Sequence, residues 1–225
     1  MLLAQIWRYP VKSMKGEPME HAYLGLDGIE GDRVIQVRNS AGKIVTARTR
    51  PALLGHRGTL GPDGAPRVDG RPWTGLDVLR DVEAAAGPGS SLTLDHDAGR
   101  FDVLPLLVAT DGAIHELGED GRRLRPNLVI GGVPGLTERE WENHFLQIGP
   151  AVIRAVDLRQ RCIMTTVHPD TLEQDTGVLQ RIIKEFGGVM ALNCSVIVAG
   201  QVRVGDPVTL LDAPVRATQT DGGEK

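Results

Sequence analysis

Cysteine is nearly absent: the 225 residues contain only Cys162 and Cys194. One copy of the chain therefore cannot build a four-thiolate iron–sulfur cluster, nor a zinc site that needs three or more cysteines. Long apolar runs are missing too. The first, Met1 to Ile6, is broken at once by Arg8, Pro10, Lys12 and Lys15, and none approaches the ~20 apolar residues of a membrane span. Soluble, unexported, cytoplasmic protein with free thiols and no membrane partner is the expectation, although the cysteine count alone permits one disulfide. There is no excess of positive charge. A formal net charge of −4 argues against general nucleic-acid binding, which rests on a basic face.

Several motifs are also missing. No Walker A sequence and no Gly-x-Gly-x-x-Gly after a strand is present, so an ordinary nucleotide fold is unsupported. His21, His56, His96, His115, His144 and His168 form no metal-spaced pair, which weakens a histidine-based zinc or iron site. Ser13 and Ser195 lack a nucleophile elbow, and a hydrolase triad is not indicated. What remains is a composition of 41% apolar and 24% charged residues, enough for one large or two small packed domains.

Leu2 to Tyr9, Val34 to Arg38 and Ile44 to Arg48 have strand character, with a hairpin turn at 39–42 and a glycine-rich loop at 25–32. Residues 58–75 are dense in Gly and Pro and suit turns and short hairpins. Leu76, Leu79, Val82 and Ala86 fall at helical spacing, with Thr74 as N-cap and Gly87 as terminator. Further strands are expected at Ser91 to Asp95, Phe101 to Val108, Asn127 to Ile130, Ala151 to Val156, Ser195 to Ala199 and Val208 to Leu211. A capping box at Thr137–Glu140 predicts a short helix reaching Phe145. Val178, Leu179, Ile182, Ile183 and Phe186 form an apolar helical stripe closed by Gly187-Gly188. The division is into a β-rich unit, 1–100, an α+β unit, 101–212, and a disordered tail, 213–225.

Cys162 lies between Arg159, Arg161 and a threonine pair, and cationic neighbours favour the thiolate that acts as nucleophile or metal ligand. Cys194 stands in an apolar run and reads as core. Basic residues gather at Lys12 and Lys15, Arg33, Arg48 and Arg50, and Arg122, Arg123 and Arg125. Each cluster alone suits a solvated face; brought together they suit a phosphate-bearing ligand. His168, Asp170, Glu173 and Asp175 put carboxylates soon after Cys162, either as acids or as a loop in which Asp175 or Thr176 caps the next helix.

At Tyr9-Pro10-Val11-Lys12-Ser13, Gly31-Asp32-Arg33, Val45-Thr46-Ala47-Arg48, Arg125-Pro126-Asn127, Arg161-Cys162 with Thr165-Thr166-Val167, Thr176-Gly177 and Val204-Gly205-Asp206-Pro207-Val208, the chain resembles the MOSC family, the molybdenum-cofactor sulfurase C-terminal domain proteins. Within it the pattern is most similar to the mitochondrial amidoxime-reducing components and their bacterial relatives. The resemblance implies an α+β, β-rich fold: an N-terminal β-barrel-like domain, then a MOSC domain on a mixed β-barrel with peripheral helices. It implies a molybdenum cofactor (Mo-molybdopterin) with Cys162 as metal ligand. Lys12, Ser13, Arg33, Thr110, Arg125, Asn127 and Arg161 match the residues that hold pterin and phosphate. Asn193 stands where eukaryotic relatives have a cofactor-contacting tyrosine.

The implied activity is reduction of small N-hydroxylated compounds, with electrons from a separate ferredoxin-, flavin- or cytochrome-type protein. His168, Asp170 and Asp175 are the candidate proton donors. Two alternatives are a sulfur carrier or sulfurtransferase using a Cys162 persulfide, and a non-catalytic cofactor-binding module.

Overall fold

The computed structural model describes residues 1–95 and 98–213. The expected tail, beyond Ala213, lies outside the described residues. The architecture is β-rich α+β, and its frame is one eight-stranded mixed sheet. Its strands lie in the order Val208–Leu211, Phe145–Ile148, Ala151–Gln160, Val189–Val198, Leu106–Thr110, Leu128–Gly131, Leu2–Arg8 and Glu17–Met19. Only Leu106–Thr110 and Leu128–Gly131 run parallel; every other neighbouring pair is antiparallel. The first strand sits between a late strand and an early one, pairing Ile6 with Leu128 and with Met19. Three small sheets accompany the frame: 35–38 with 44–45 and 91–94, 21–25 with 28–29 and 200–203, and a meander of 58–60, 66–68 and 71–72.

Alternation along the strands separates the cores. Leu106 and Val108, with Leu3, Ile6, Leu192 and Cys194, fill one side of the sheet. Ala109 faces the other side, where helix α2 (Asp111–Leu117) and helix α3 (Thr176–Phe186) pack through Leu117, Val178, Ile182 and Phe186. Spacing of four places the α3 residues on one face, Asp175 accepts a hydrogen bond from Gly177 N at 2.8 Å, and Gly187 ends the helix at φ 66°. A third core joins Val11, Ile35, Val37, Leu53 and Leu92 to Val78 and Val82 of helix α1 (Leu76–Ala86).

Several expectations change. Gly75, not Thr74, is the α1 N-cap. The strand expected from Phe101 starts only at Leu106, behind Pro105, because residues 101–104 turn into a cleft described below. Thr137–Glu140 is a 3-10 turn without the capping box: Thr137 Oγ1 donates to Pro134 O at 2.6 Å, and Phe145 is taken by the strand Phe145–Ile148, which pairs with Ala151–Gln160. Two strands run longer than expected, Ala151–Gln160 and Val189–Val198.

Helix α2 was not legible, and its cap explains Thr110. The Thr110 hydroxyl accepts from Ala113 N at 3.1 Å and donates to Glu138 Oε2 at 3.2 Å. Burial pushes the Glu138 carboxyl above its ordinary value, against the opposing hydrogen bonds. A carboxyl raised in the folded state contributes stability at pH below its unfolded value, about 4.3, and loses it as pH rises through the folded value. Glu138→Gln is therefore expected to stabilise at pH 7 and to gain less at pH 4, read as the shift in denaturant midpoint; an equal or larger gain at pH 4 contradicts this. Thr110→Val, which removes both bonds, should cost about 1–2 kcal/mol.

Candidate functional site

The strand Ala151–Gln160 carries Arg159 and leads directly to Arg161 and Cys162. The chain leaving Leu2–Arg8 supplies Tyr9 to Ser13, and Asn127 immediately precedes Leu128–Gly131. These segments converge on one cleft, lined by Lys12, Ser13, Arg33, Arg125, Asn127, Arg161 and Cys162. It offers about 760 Å³ of space outside the protein atoms, part of it open to solvent.

Cys162 is at the N-cap of the 3-10 turn Ile163–Thr166, in extended backbone. Thr165 N and Thr165 Oγ1 both donate to the Cys162 carbonyl, at 3.0 and 2.9 Å, and Thr166 Oγ1 donates to Ile163 O at 2.7 Å. The buried threonines thus fix the turn through its backbone, and among the described residues Cys162 Sγ is engaged by no hydrogen bond. Among the described residues no three His, Cys, Asp or Glu side chains gather to hold a metal ion. A metal at Cys162 would need its other ligands from a cofactor, as a dithiolene supplies them.

Three cleft residues, Ser13, Arg33 and Arg125, adopt left-handed backbone at φ 71°, 57° and 55°. Such conformations cost about 1–3 kcal/mol each and persist where surrounding contacts hold them. Here the contacts are visible. Asp32, with no solvent exposure, accepts from Tyr9 N at 2.6 Å and Asn127 Nδ2 at 3.1 Å and pairs with Arg33. The guanidinium of Arg33 lies 5.1 Å from the Tyr9 ring centroid and that of Arg125 lies 4.4 Å from it. Burial pushes the Tyr9 phenol up to about 12 despite both cations, and its hydroxyl donates to Pro126 O at 3.1 Å.

The cations divide by their partners. Lys12, Arg48 and Arg159 all reach Asp102, at 2.9, 2.7 and 3.3 Å. Burial raises the Asp102 carboxyl, but the Lys12 hydrogen bond and the three charges outweigh it and hold the group below the usual carboxylate range. Arg125 and Arg161 form no ion pair with a carboxylate among the described residues, and burial pushes both guanidiniums down to about 10. Arg161 donates to Leu124 O at 2.7 Å, while its buried Nε has no partner. Two cations without counter-ions and an orphaned donor beside an uncommitted thiol fit a phosphorylated, metal-bearing ligand.

Thr110 is not in the cleft. Nor are the expected acids: Asp170 is held on the surface by Arg122 at 2.6 and 3.0 Å, Asp175 caps α3, and His168 Nδ1 accepts from Asp170 N and Thr171 N at 3.2 Å. Asn193 does line the cleft, its Nδ2 donating to Asp157 Oδ1 at 2.6 Å. Sequence reasoning passed over Asp102, which has no local signal, and the organising role of Asp32, which the Gly31-Asp32-Arg33 motif marks.

A family model described as the MOSC domain matches residues 111–209, and one described as the MOSC N-terminal beta barrel domain matches residues 1–77. The chain is 27% identical to mitochondrial amidoxime reducing component 2 of Macaca fascicularis, over 92% of this chain and 82% of that one. It is 28% identical to human mitochondrial amidoxime-reducing component 1, over 80% and 68% respectively. The crystal structure of the YUAD protein from Bacillus subtilis shares the fold at a TM-score of 0.51 and 13% identity, covering 93% of this chain and 94% of that chain.

Both cysteines are free. Cys194 is fully buried, and burial pushes its thiol well above the ordinary range. A thiol-specific reagent should therefore titrate about one sulfur in the native protein, Cys162, and both only after unfolding. Cys162→Ala should leave none reactive in the native state; two reactive thiols in folded wild type would contradict this assignment.

Proposed function

Because the chain belongs to the MOSC family, with an N-terminal MOSC β-barrel region joined to a MOSC domain, we propose that it is a molybdenum-cofactor-dependent reductase of N-hydroxylated compounds. The observation that carries the reading is the meeting of Cys162 with Arg125 and Arg161, both without a carboxylate partner among the described residues, in one cleft. The names of the amidoxime-reducing relatives support the reaction class. In the proposal Cys162 ligates the metal, while Lys12, Ser13, Arg33, Arg125, Asn127 and Arg161 hold the pterin and its phosphate. Thr110 leaves this set, since its hydroxyl is spent on Ala113 and Glu138. The cleft then lies between the proposed units 1–100 and 101–212.

The cofactor supplies the two-electron chemistry that no side chain of this protein can. The overall reaction consumes two electrons and two protons per N–OH, breaks the N–O bond, and leaves N–H and water. Two cysteines, one of them the proposed metal ligand, cannot supply a four-thiolate iron–sulfur cluster, and in this reading the electrons come from a separate donor protein. The side chains bind and orient. Arg125 and Arg161 offset the ligand's negative charge, and Tyr9 holds Arg125 and Arg33 through its ring. Asp102 keeps Lys12, Arg48 and Arg159 at the cleft wall. Asp170, kept ionised by Arg122, and Asp175, bound to the α3 backbone, lie outside the cleft, and we give them no proton-delivering part. Free thiols suit work in a reducing compartment such as the cytoplasm. No helix among the described residues is long and apolar enough to cross a membrane.

The test is turnover. Protein from a host that makes the cofactor, given a viologen reductant and an aromatic amidoxime, should form the amidine; Cys162→Ala should lose at least about 100-fold, with unchanged thermal midpoint. Amidine formation that survives Cys162→Ala contradicts the ligand assignment. A reducible mass increase of one sulfur on Cys162, without turnover, would replace the reading with sulfur transfer.

A further inference from the structure

A second cavity lies beyond the wall formed by Arg125 and Met164, which line both it and the cleft of Cys162. It offers about 700 Å³ of space outside the protein atoms, part of it open to solvent. Trp7, Leu54, Val167 and Pro169 give it apolar walls, and among the described residues no Asp or Glu lines it. Its charged lining is cationic: Lys15, Arg57, Arg122, Arg123 and Arg125.

Two of these cations are spoken for. Arg122 pairs with Asp120 and Asp170, and Arg123 with Glu119 at 3.1 Å and with the Thr165 and Thr166 carbonyls. Lys15 and Arg57 differ. Among the described residues neither side chain makes an ion pair or a hydrogen bond, and Asp170, the acid whose titration registers the Lys15 charge, is already held by Arg122.

Backbone geometry sets these two residues side by side. Lys15 and Arg57 face each other in an isolated parallel bridge: Lys15 N donates to His56 O at 2.8 Å, and Gly58 N donates to Lys15 O at 2.9 Å. Partners in such a bridge project their side chains to the same side, so like charges there repel. The residue after each cation is a glycine without room for a side chain. A Cβ on Gly16 would meet Arg8 O at 2.4 Å and the Tyr9 ring at 2.6 Å, and one on Gly58 would meet Val11 at 2.9 Å. Close packing on both sides stops the pair from drifting apart. Arg125, stacked on Tyr9 and also without a carboxylate partner among the described residues, adds a third cation to the same lining.

Repulsion held in place by the backbone, beside apolar walls, is relieved by an anion. We propose that this second cavity binds a small organic anion, its phosphoryl or carboxylate head held by Lys15 and Arg57 and its apolar body packed against Trp7, Leu54 and Val167. Cys162 takes no part in it, and the inference stands whether or not the cofactor reading holds.

The probe is phenylphosphonate, titrated calorimetrically into the full chain beside inorganic phosphate. Saturable binding at about one per chain is expected, with inorganic phosphate about ten-fold weaker because it lacks the apolar body. The Lys15→Met/Arg57→Met double variant should bind phenylphosphonate about ten-fold more weakly with an unchanged or higher thermal midpoint, since a repulsion is removed. Arg57→Met alone, at an exposed side chain, should already weaken it about three-fold. Arg161→Met, in the other cleft, should leave it within about two-fold. The proposal is overturned if wild type does not bind, if the Lys15 and Arg57 variants bind as wild type does, or if Arg161→Met abolishes binding, which would put the probe in the first cleft.

Discussion

The buried carboxylate of Asp32 joins three segments that the sequence keeps far apart. It accepts from the backbone of Tyr9, where the first strand ends, and from the side chain of Asn127, where a late strand begins, and it pairs with the neighbouring Arg33. A carboxylate with no exposure to water is costly unless every lone pair is used, and here the partners are the cleft's own residues. Arg33 is thereby fixed over Tyr9, Tyr9 is fixed under Arg125, and Asn127 is left with Oδ1 accepting from Leu107 N and Arg33 at 3.2 and 3.3 Å. The order of the cleft follows from how this one charge is satisfied.

Charge is then distributed unevenly around that centre. A chain of formal net charge −4 still places four cations that, among the described residues, have no carboxylate partner in two neighbouring spaces, Arg125 and Arg161 beside Cys162 and Lys15 with Arg57 behind the Arg125–Met164 wall. The remaining cleft cations are matched, Lys12, Arg48 and Arg159 by Asp102 and Arg33 by Asp32. Local concentration of unpaired positive charge, with low-dielectric walls, is what recognises an anion, whatever the sign of the whole molecule. Proximity to Arg125 links the two spaces physically, since the same guanidinium lines both.

What could be read from the sequence was local. The period of α3 and its glycine stop, the basic and threonine neighbours of Cys162, and the apolar run around Cys194 are all statements about adjacent residues, and they appear in the structure as read, except that Ile183 of the α3 stripe is exposed. Errors came where a distant partner decides. Thr110 matched a family position but caps a helix whose short length and weak pattern gave no signal. Thr137 and Glu140 had the spacing of a capping box, but the segment is a 3-10 turn in which Glu138 turns inward to Thr110. Phe101 to Pro105 read as strand, yet Asp102 is drawn to three cations from separate segments. The facing of Lys15 and Arg57 across a parallel bridge likewise depends on tertiary pairing that no local pattern encodes.

The central claim is that the Cys162 cleft holds a phosphorylated pterin bearing molybdenum. Its most direct test is composition: metal analysis and pterin extraction on the folded protein purified from a host that makes the cofactor. The account predicts about one molybdenum and one pterin per chain, both lost from a folded Arg125→Met/Arg161→Met variant, whose counter-ion-free cations are gone. Folded wild type carrying neither metal nor pterin would contradict it.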